Sequence, residues 1–332
     1  MLLAYAKIWL YDELLASILP DDPWVATTLN RYFPRALSER YAGEMAQHPL
    51  KREIIATHVT NSMLNRVGST FVHRLMETTG AAPQEVVRAF LLTRETFGFV
   101  PLWRAIEALD NRVDDAVQAG LLIESSRLID RGTTWFLRSR RLADDMAATI
   151  ARFAPGVEAL ATALPKLLDE GDRAGLDAAI ARGTGEGIPV ELAARVVALD
   201  TLYAALDIVE EAGDARRPVE TVARIYFEIA TRLGLPWLRE RIDALPADAH
   251  WQMLARGAMQ DDLSGLQRSI TRDVIKGGEE LTAPRLVNAW QADNRRPIER
   301  VGRLLAELRA GPAPDAAMLS VALRELRDLA TR

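Results

Sequence analysis

The sequence predicts an all-α protein, a multi-helix bundle or array with no sheet. Three observations carry this. Apolar residues recur at helical spacing from Leu2 to Leu329, and no stretch alternates with period two between turn signals as a strand would. Aromatic residues make up only 6% of the chain while Ala, Leu and Arg dominate, a composition of helix formers. The punctuation is helical too. Pro83-Gln-Glu85, Pro189-Val-Glu191 and Pro218-Val-Glu220 each place Pro at a first helical position with a carboxylate two residues on, which suits proline's fixed φ and the positive end of the helix dipole. Gly80, Gly98, Gly213, Gly234 and Gly277 stand where the residue just past a helix needs φ > 0.

Taken in order, the periodicity predicts helices at 2–18, 23–32, 34–46, 49–67, 70–79, 83–97, 101–109 and 112–139. They continue at 142–152, 155–169, 172–182, 189–212, 218–233, 236–244, 247–276, 280–309 and 314–331. Leu2, Leu3, Ala6, Leu10 and Leu14 begin an apolar helical pattern with no capping residue before it. A natural N-terminus rarely starts inside a buried turn, so the expectation is a segment of a longer chain. Asp110-Asn111 is the clearest internal seam: Asn111 is placed to cap the next helix, with Asp114 at its third position, and that helix runs towards Arg141. Helices before it are short and Pro-interrupted, and several after it are long. The expected division is an N-terminal helical subdomain, 1–109, and a C-terminal one with long helices, 110–332. No repeat of fixed period is visible, against a solenoid.

Composition narrows the class. At 332 residues and 49% hydrophobic, the chain can bury a large core. It has no cysteine, hence no disulfide frame, thiolate metal site or cysteine nucleophile. With no signal peptide and no apolar run of about 18 residues, it reads as a soluble cytoplasmic protein without membrane contact. A formal net charge of −5 argues against nucleic acid as a partner.

The stretch from Lys51 to Gly80 is the most informative. On a helix, Ile55, Ala56, Val59, Met63 and Val67 share one arc, and His58, Asn61, Ser62 and Asn65 share a second, roughly 120° away. Glu53, Thr57 and Thr60 take the remaining side. A solvated face normally carries Lys and Glu; two amides, a hydroxyl and an imidazole suit a face between helices or domains, where each finds a partner. Gly68 breaks the run, and Ser69 or Thr70 is placed to cap the next helix.

Nine segments together resemble a known family. They are LAYAKIWLYDELLAS from Leu3, PDDPW at Pro20–Trp24, NRVGSTFVHRLMETTGA from Asn65, ALDNRV from Ala108 and TTWFLRSRR from Thr133, followed by IARFAPGVEAL from Ile150, LDTLYAALDIVE from Leu199, LGLPWLRERI from Leu233 and DAHWQMLAR from Asp248. The chain resembles, over nearly its whole length, the C-terminal region of the large bacterial NAD-specific glutamate dehydrogenases. The resemblance implies a parent enzyme that deaminates L-glutamate oxidatively with NAD. It also implies an upstream catalytic domain in the same chain, homo-oligomeric assembly, and no catalytic, cofactor-binding or metal residue in this segment.

Chemistry sought directly gives the same answer. Hydride transfer needs a glycine-rich strand-to-helix turn for the cofactor pyrophosphate. Gly183-Thr-Gly185-Glu-Gly187 lacks that spacing and follows a helix, so it reads as an interhelical turn. Ile275-Lys276-Gly277-Gly278 has a lysine but not the preceding glycines of a substrate-lysine turn, and reads as a helix C-terminus. None of His48, His58, His73 or His250 has Glu three residues before it, as a di-iron bundle requires. Asp21-Asp22, Asp114-Asp115, Asp144-Asp145 and Asp261-Asp262 lack the third Asp of a magnesium motif and read as caps and solvated faces. Arg131, Arg138, Arg140 and Arg141 around Trp135 and Phe136 suit either an acidic partner or phosphate, or a helix C-terminus with aromatics on the core side. Trp24, Trp103, Trp237 and Trp290 read as core anchors. The alternative function, from a different class, is a stand-alone helical module that binds a protein partner or an effector.

Overall fold

The computed structural model describes residues 1–139, 145–277 and 282–330, and every regular element among them is helical. In order these are α1 (Leu2–Ala16), a 3₁₀ turn (Leu19–Asp21), α2 (Pro23–Ala26), α3 (Leu29–Tyr32), α4 (Arg35–Arg40), α5 (Ala42–Ala46) and α6 (Lys51–Val67). Then come α7 (Phe71–Thr79), α8 (Pro83–Thr96), α9 (Phe99–Glu107), α10 (Asp115–Arg138), α11 (Met146–Leu167), α12 (Glu170–Gly185), α13 (Val190–Val197) and α14 (Leu199–Leu202). The chain closes with α15 (Ala205–Ala215), α16 (Val219–Leu233), α17 (Leu235–Asp243), α18 (His250–Lys276), α19 (Ala283–Asp293), α20 (Arg295–Ala310) and α21 (Ala316–Ala330).

These helices divide into two units. The first comprises Met1–Pro155 with Ala178–Tyr203, and the second Gly156–Asp177 with Ala204–Arg332. The seam expected between 109 and 110 lies inside the first unit. There Asn111 takes a left-handed φ of 59° and does not cap α10. Asp114 does, accepting the Ala116 N–H at 2.8 Å.

The first unit is built around α8. Val86, Val87, Ala89, Phe90, Leu91 and Leu92 are at most 1% exposed, as in a helix surrounded by others; α1, α7, α9 and α10 enclose it. Gly132 lets α10 lie close to α8: an added Cβ there would lie 2.5 Å from Thr93 Cγ2. Leu10 and Leu14 fix α1 on α6 and α8. In the second unit α16 is the centre, with Val222, Ala223, Ile225 and Ile229 fully buried against α15, α17, α18 and α19. Gln267 of α18 reaches the Tyr226 carbonyl at 3.1 Å.

Several boundaries depart from the expected ones for identifiable reasons. The helix expected at 23–32 breaks where Thr27 and Thr28 turn their hydroxyls back to Trp24 O and Val25 O, at 2.6 and 2.7 Å, in competition with the helical ladder. The stretch 34–46 divides at Tyr41, and 189–212 becomes α13, α14 and α15. The helices expected at 142–152 and 155–169 are one helix from Met146, running through Pro155 (residues 140–144 lie outside the described ones). Burial of Phe153, Val157 and Leu160 on both sides of the proline keeps the helical period intact. Residues 280–309 divide at Asn294, whose amide donates to Trp290 O at 3.0 Å, and 280–281 lie outside the described residues. Pro83 opens α8, but α13 and α16 begin one residue after Pro189 and Pro218. Gly80, Gly98 and Gly234 take the left-handed conformation. Gly277 does not (φ −67°), and α15 continues past Gly213 to a left-handed Arg216, beside Arg217, which donates to Ile275 O at 3.2 Å.

Candidate functional site

Helix α6 meets the core as its sequence requires. Ile55, Ala56, Val59 and Met63 are at most 1% exposed, while Val67 is only half-buried. Thr60 and Leu64 are buried as well, so the apolar face is wider than the arc drawn from the sequence, and Thr60 does not belong to the outer side. The polar arc lies at the edge of this contact: His58, Asn61 and Ser62 are half-buried and Asn65 is exposed.

Three of those four residues line one cleft. His58, Ser62 and Asn65 border a depression of about 820 Å³ with Arg66 of α6, Arg94 and Glu95 of α8, and Val100, Pro101, Trp103, Arg104 and Glu107 of α9. Asn61 is not among the lining residues. The floor is Arg94, 5% exposed. Its Nε and Nη2 lie 2.8 and 2.7 Å from Glu95 Oε1, and Nη1 makes a long bond of 3.5 Å to Ser62 Oγ. Arg66 lies over the Trp103 ring, 4.9 Å from its centre, and pairs with Glu107. Trp103 is held by a hydrogen bond from Nε1 to Ser125 Oγ at 3.1 Å and by stacking on Phe99. Arg104 is exposed and has no carboxylate partner among the described residues. The cleft therefore presents arginine donors and neutral polar groups around an aromatic wall. Sequence reasoning found the α6 side and missed Arg66, Arg94 and Arg104. Nothing in the local pattern separates an arginine that turns inward at Arg94 from the many that do not.

The second unit holds a different cluster, also missed. Asp207, Glu210 and Glu211 of α15 are 4, 4 and 2% exposed and face Arg268 and Arg272 of α18. Arg268 Nε donates to Glu211 at 2.7 Å, its Nη2 pairs with Glu210, and its Nη1 lies 3.4 Å from Asp207. Arg272 reaches both oxygens of Glu211 at 2.6 and 2.9 Å. Burial alone would lower the pKa of Arg268, but the Glu211 hydrogen bond and the three carboxylate charges more than offset it, and the net shift is upward. Arg272 is raised chiefly by its hydrogen bond to Glu211, against a smaller effect of burial. The acids at i, i+3 and i+4 and the arginines at i and i+4 were a readable signal.

Other sequence candidates resolve locally. Gly183 and Gly185 belong to the last turn of α12 rather than to the loop after it, and the chain turns at Glu186–Gly187: Ile188 N donates to Gly183 O at 3.1 Å, and Gly187 has a φ of 91°. Lys276 ends α18 and pairs with Asp273 at 3.2 Å; Gly278 lies outside the described residues. Arg131 bonds Asp200 at 3.0 Å and lies over Tyr203, while Trp135, Phe136 and Phe153 form an aromatic cluster. Arg140, Arg141 and Asp144 lie outside the described residues. Asp22 and Asp145 cap α2 and α11, and Asp262 pairs with Arg327. Among the described residues no group of three or more His, Asp or Glu is placed to hold a metal ion, and no helix is long and apolar enough to cross a membrane. His73 stacks on Trp9, and His250 packs edge-on to the exposed Trp251. Of the four tryptophans expected as core anchors only Trp103 is buried; Trp24, Trp237 and Trp290 are half-buried.

The fold and its polar clusters define a class of all-helical region with an arginine-lined cleft in one unit and a closed ionic cluster in the other. The family described as glutamate dehydrogenase, C-terminal, matches residues 1–328, and the chain belongs to it, as the C-terminal region of NAD-specific glutamate dehydrogenases. It is similar to the NAD-specific glutamate dehydrogenase of Pseudomonas aeruginosa, 38% identical over 99% of this chain and 20% of that protein. The Halomonas elongata enzyme is 37% identical over 99% and 20%, and that of Mycobacterium tuberculosis 35% over 98% and 20%. The chain thus spans about a fifth of the length of these relatives.

Proposed function

We propose that this chain is a non-catalytic supporting region of a cytoplasmic, homo-oligomeric NAD-specific glutamate dehydrogenase. The whole enzyme converts L-glutamate, NAD and water to 2-oxoglutarate, ammonia and NADH in its catalytic part, and this region docks against that part through α1. The observation that carries the reading is the outer side of α1. Leu2, Tyr5 and Ile8 are 80, 66 and 60% exposed, and they point roughly opposite to the buried Leu10 and Leu14. A helix apolar on both sides belongs between two bodies of protein, and the matched relatives are about five times longer than this chain.

Y5K/I8K tests this in two settings. In the chain alone the pair lies on an exposed surface, so the melting temperature stays unchanged. In the full-length enzyme two charges enter a dry contact, and glutamate-dependent NADH production or oligomer mass falls sharply. Full activity and assembly of that variant would end the docking reading. Glutamate-dependent NADH production by the 332-residue chain, above a heat-killed control, would end the non-catalytic one.

A further inference from the structure

Three guanidinium groups share the cleft between α6, α8 and α9, and only two carboxylates, Glu95 and Glu107, line it with them. Arg94 takes Glu95, Arg66 takes Glu107, and Arg104 takes no carboxylate of the described residues. The open side of the cleft therefore carries one positive charge, that of Arg104, with no carboxylate partner among the described residues. The opposite wall offers the exposed amide of Asn65, a neutral donor that bonds an anion without repelling it, beside Ser62, whose hydroxyl donates to Val59 O at 3.2 Å. Buried charge is tolerated where it is paired. Arg94 is neutralised by Glu95 on its own helix, and what it offers towards α6 is its Nη1 donor, which already reaches Ser62 Oγ at 3.5 Å. The Arg66–Glu107 pair is easily exchanged: the Glu107 side chain is 52% exposed, and pairs in water are weak. At about 820 Å³ the cleft falls in the range of small-molecule sites, roughly 300–1,000 Å³.

We propose that this cleft binds a small oxyanion, a carboxylate or phosphate group on a molecule of amino-acid to mononucleotide size. Arg104 makes the charged contact, the Asn65 amide supplies a neutral hydrogen bond, and Arg94, neutralised by Glu95, offers Nη1 as a further donor beneath them. Arg66 leaves Glu107 to complete the clamp, uncovering the Trp103 ring. The site lies within one unit and does not depend on the α1 docking reading.

The test is titration of the 332-residue chain with inorganic phosphate and, separately, with succinate, each against sodium chloride of equal ionic strength. Melting temperature and tryptophan emission are read together. Saturable binding of either ion is expected, and which of the two binds assigns phosphate or carboxylate chemistry. R104Q removes an exposed side chain, so it melts like the parent without ligand and binds at least tenfold more weakly. R35Q is the control, because Arg35 is an exposed arginine in a neighbouring depression that Arg104 also borders, and it lies outside the cleft. Its binding stays at the parental level. No saturable response to either ion, or equal weakening by R104Q and R35Q, overturns the proposal.

Discussion

Arg94 in the first unit and Arg268 in the second are both arginines drawn out of water by carboxylates, yet they do opposite things. Arg94 pairs with Glu95, its neighbour in sequence, and its Nη1 faces α6 across a cleft, with a long bond of 3.5 Å to Ser62 Oγ. The acids that pair with Arg268 lie 57 to 61 residues away on another helix, so these bonds tie α18 to α15. Placement of the partner along the chain thus decides whether a buried guanidinium becomes a rivet or a site. A local partner neutralises the charge and leaves the surroundings open. A distant one draws helices together until no room remains.

The strongest way to break this contrast is to remove Glu211. E211A leaves Arg268 and Arg272 facing each other with one acid fewer, and breaking a buried pair costs about 3–5 kcal/mol; urea unfolding should show a loss of that size. R272A removes the half-exposed member, 46% accessible, and should cost about 1 kcal/mol or less. Equal losses would mean that the cluster is not closed. Its pH behaviour follows from the signs. Both arginine pKa values are raised on folding, so their contribution is complete below the ordinary arginine value and is lost only as pH rises through the higher folded value. Between neutrality and mild alkali it is flat.

G132A comes next. It forces a methyl group to within 2.5 Å of Thr93 Cγ2, and overpacking of that kind costs about 1–3 kcal/mol. The cleft side should be far softer. Asn65 is exposed, so N65D stays within about 0.5 kcal/mol of the parent in unfolding, yet its new charge beside the cleft should weaken anion binding. N61D separates the two halves of the α6 arc: Asn61 is half-buried outside the cleft, so it should lose stability without changing anion binding.

What could be read in advance divides along similar lines. The helical class and the inner face of α6 follow from period alone, because Ile55, Val59 and Met63 have one place to go. The polar arc was visible as a chemical oddity, and His58, Ser62 and Asn65 do meet at one cleft. Its other wall was invisible, since Arg94 and Arg104 look like any other arginine until α8 and α9 are set beside α6. The split at Thr27 and Thr28 and the continuous helix through Pro155 also depend on competition. In the first case hydroxyls defeat the ladder; in the second, core burial outweighs one missing N–H. Local propensity records neither contest.

The smallest expected effect concerns a carboxylate raised by burial and a second carboxylate rather than held by an arginine, the case missing from the contrast between Arg94 and Arg268. Asp172, in the first turn of α12, has its pKa raised by partial burial and then by the charge of Asp169, which is held nearby by accepting the Asp172 N–H at 2.9 Å. A carboxyl whose folded pKa lies above its unfolded one binds more protons when folded. Stability therefore falls as pH climbs from the ordinary carboxylate range through the raised value, and it stays lower at neutrality. D172N removes the charge. The variant should match the parent in acid, where Asp172 is protonated, and exceed it slightly at pH 7, by less than about 0.5 kcal/mol as befits a surface site. An N-terminal turn ordinarily favours a carboxylate by about 0.3–1 kcal/mol, so the opposite sign at pH 7 would mean that the helix dipole outweighs burial and Asp169 together. Paired unfolding curves at pH 3 and pH 7 decide between them.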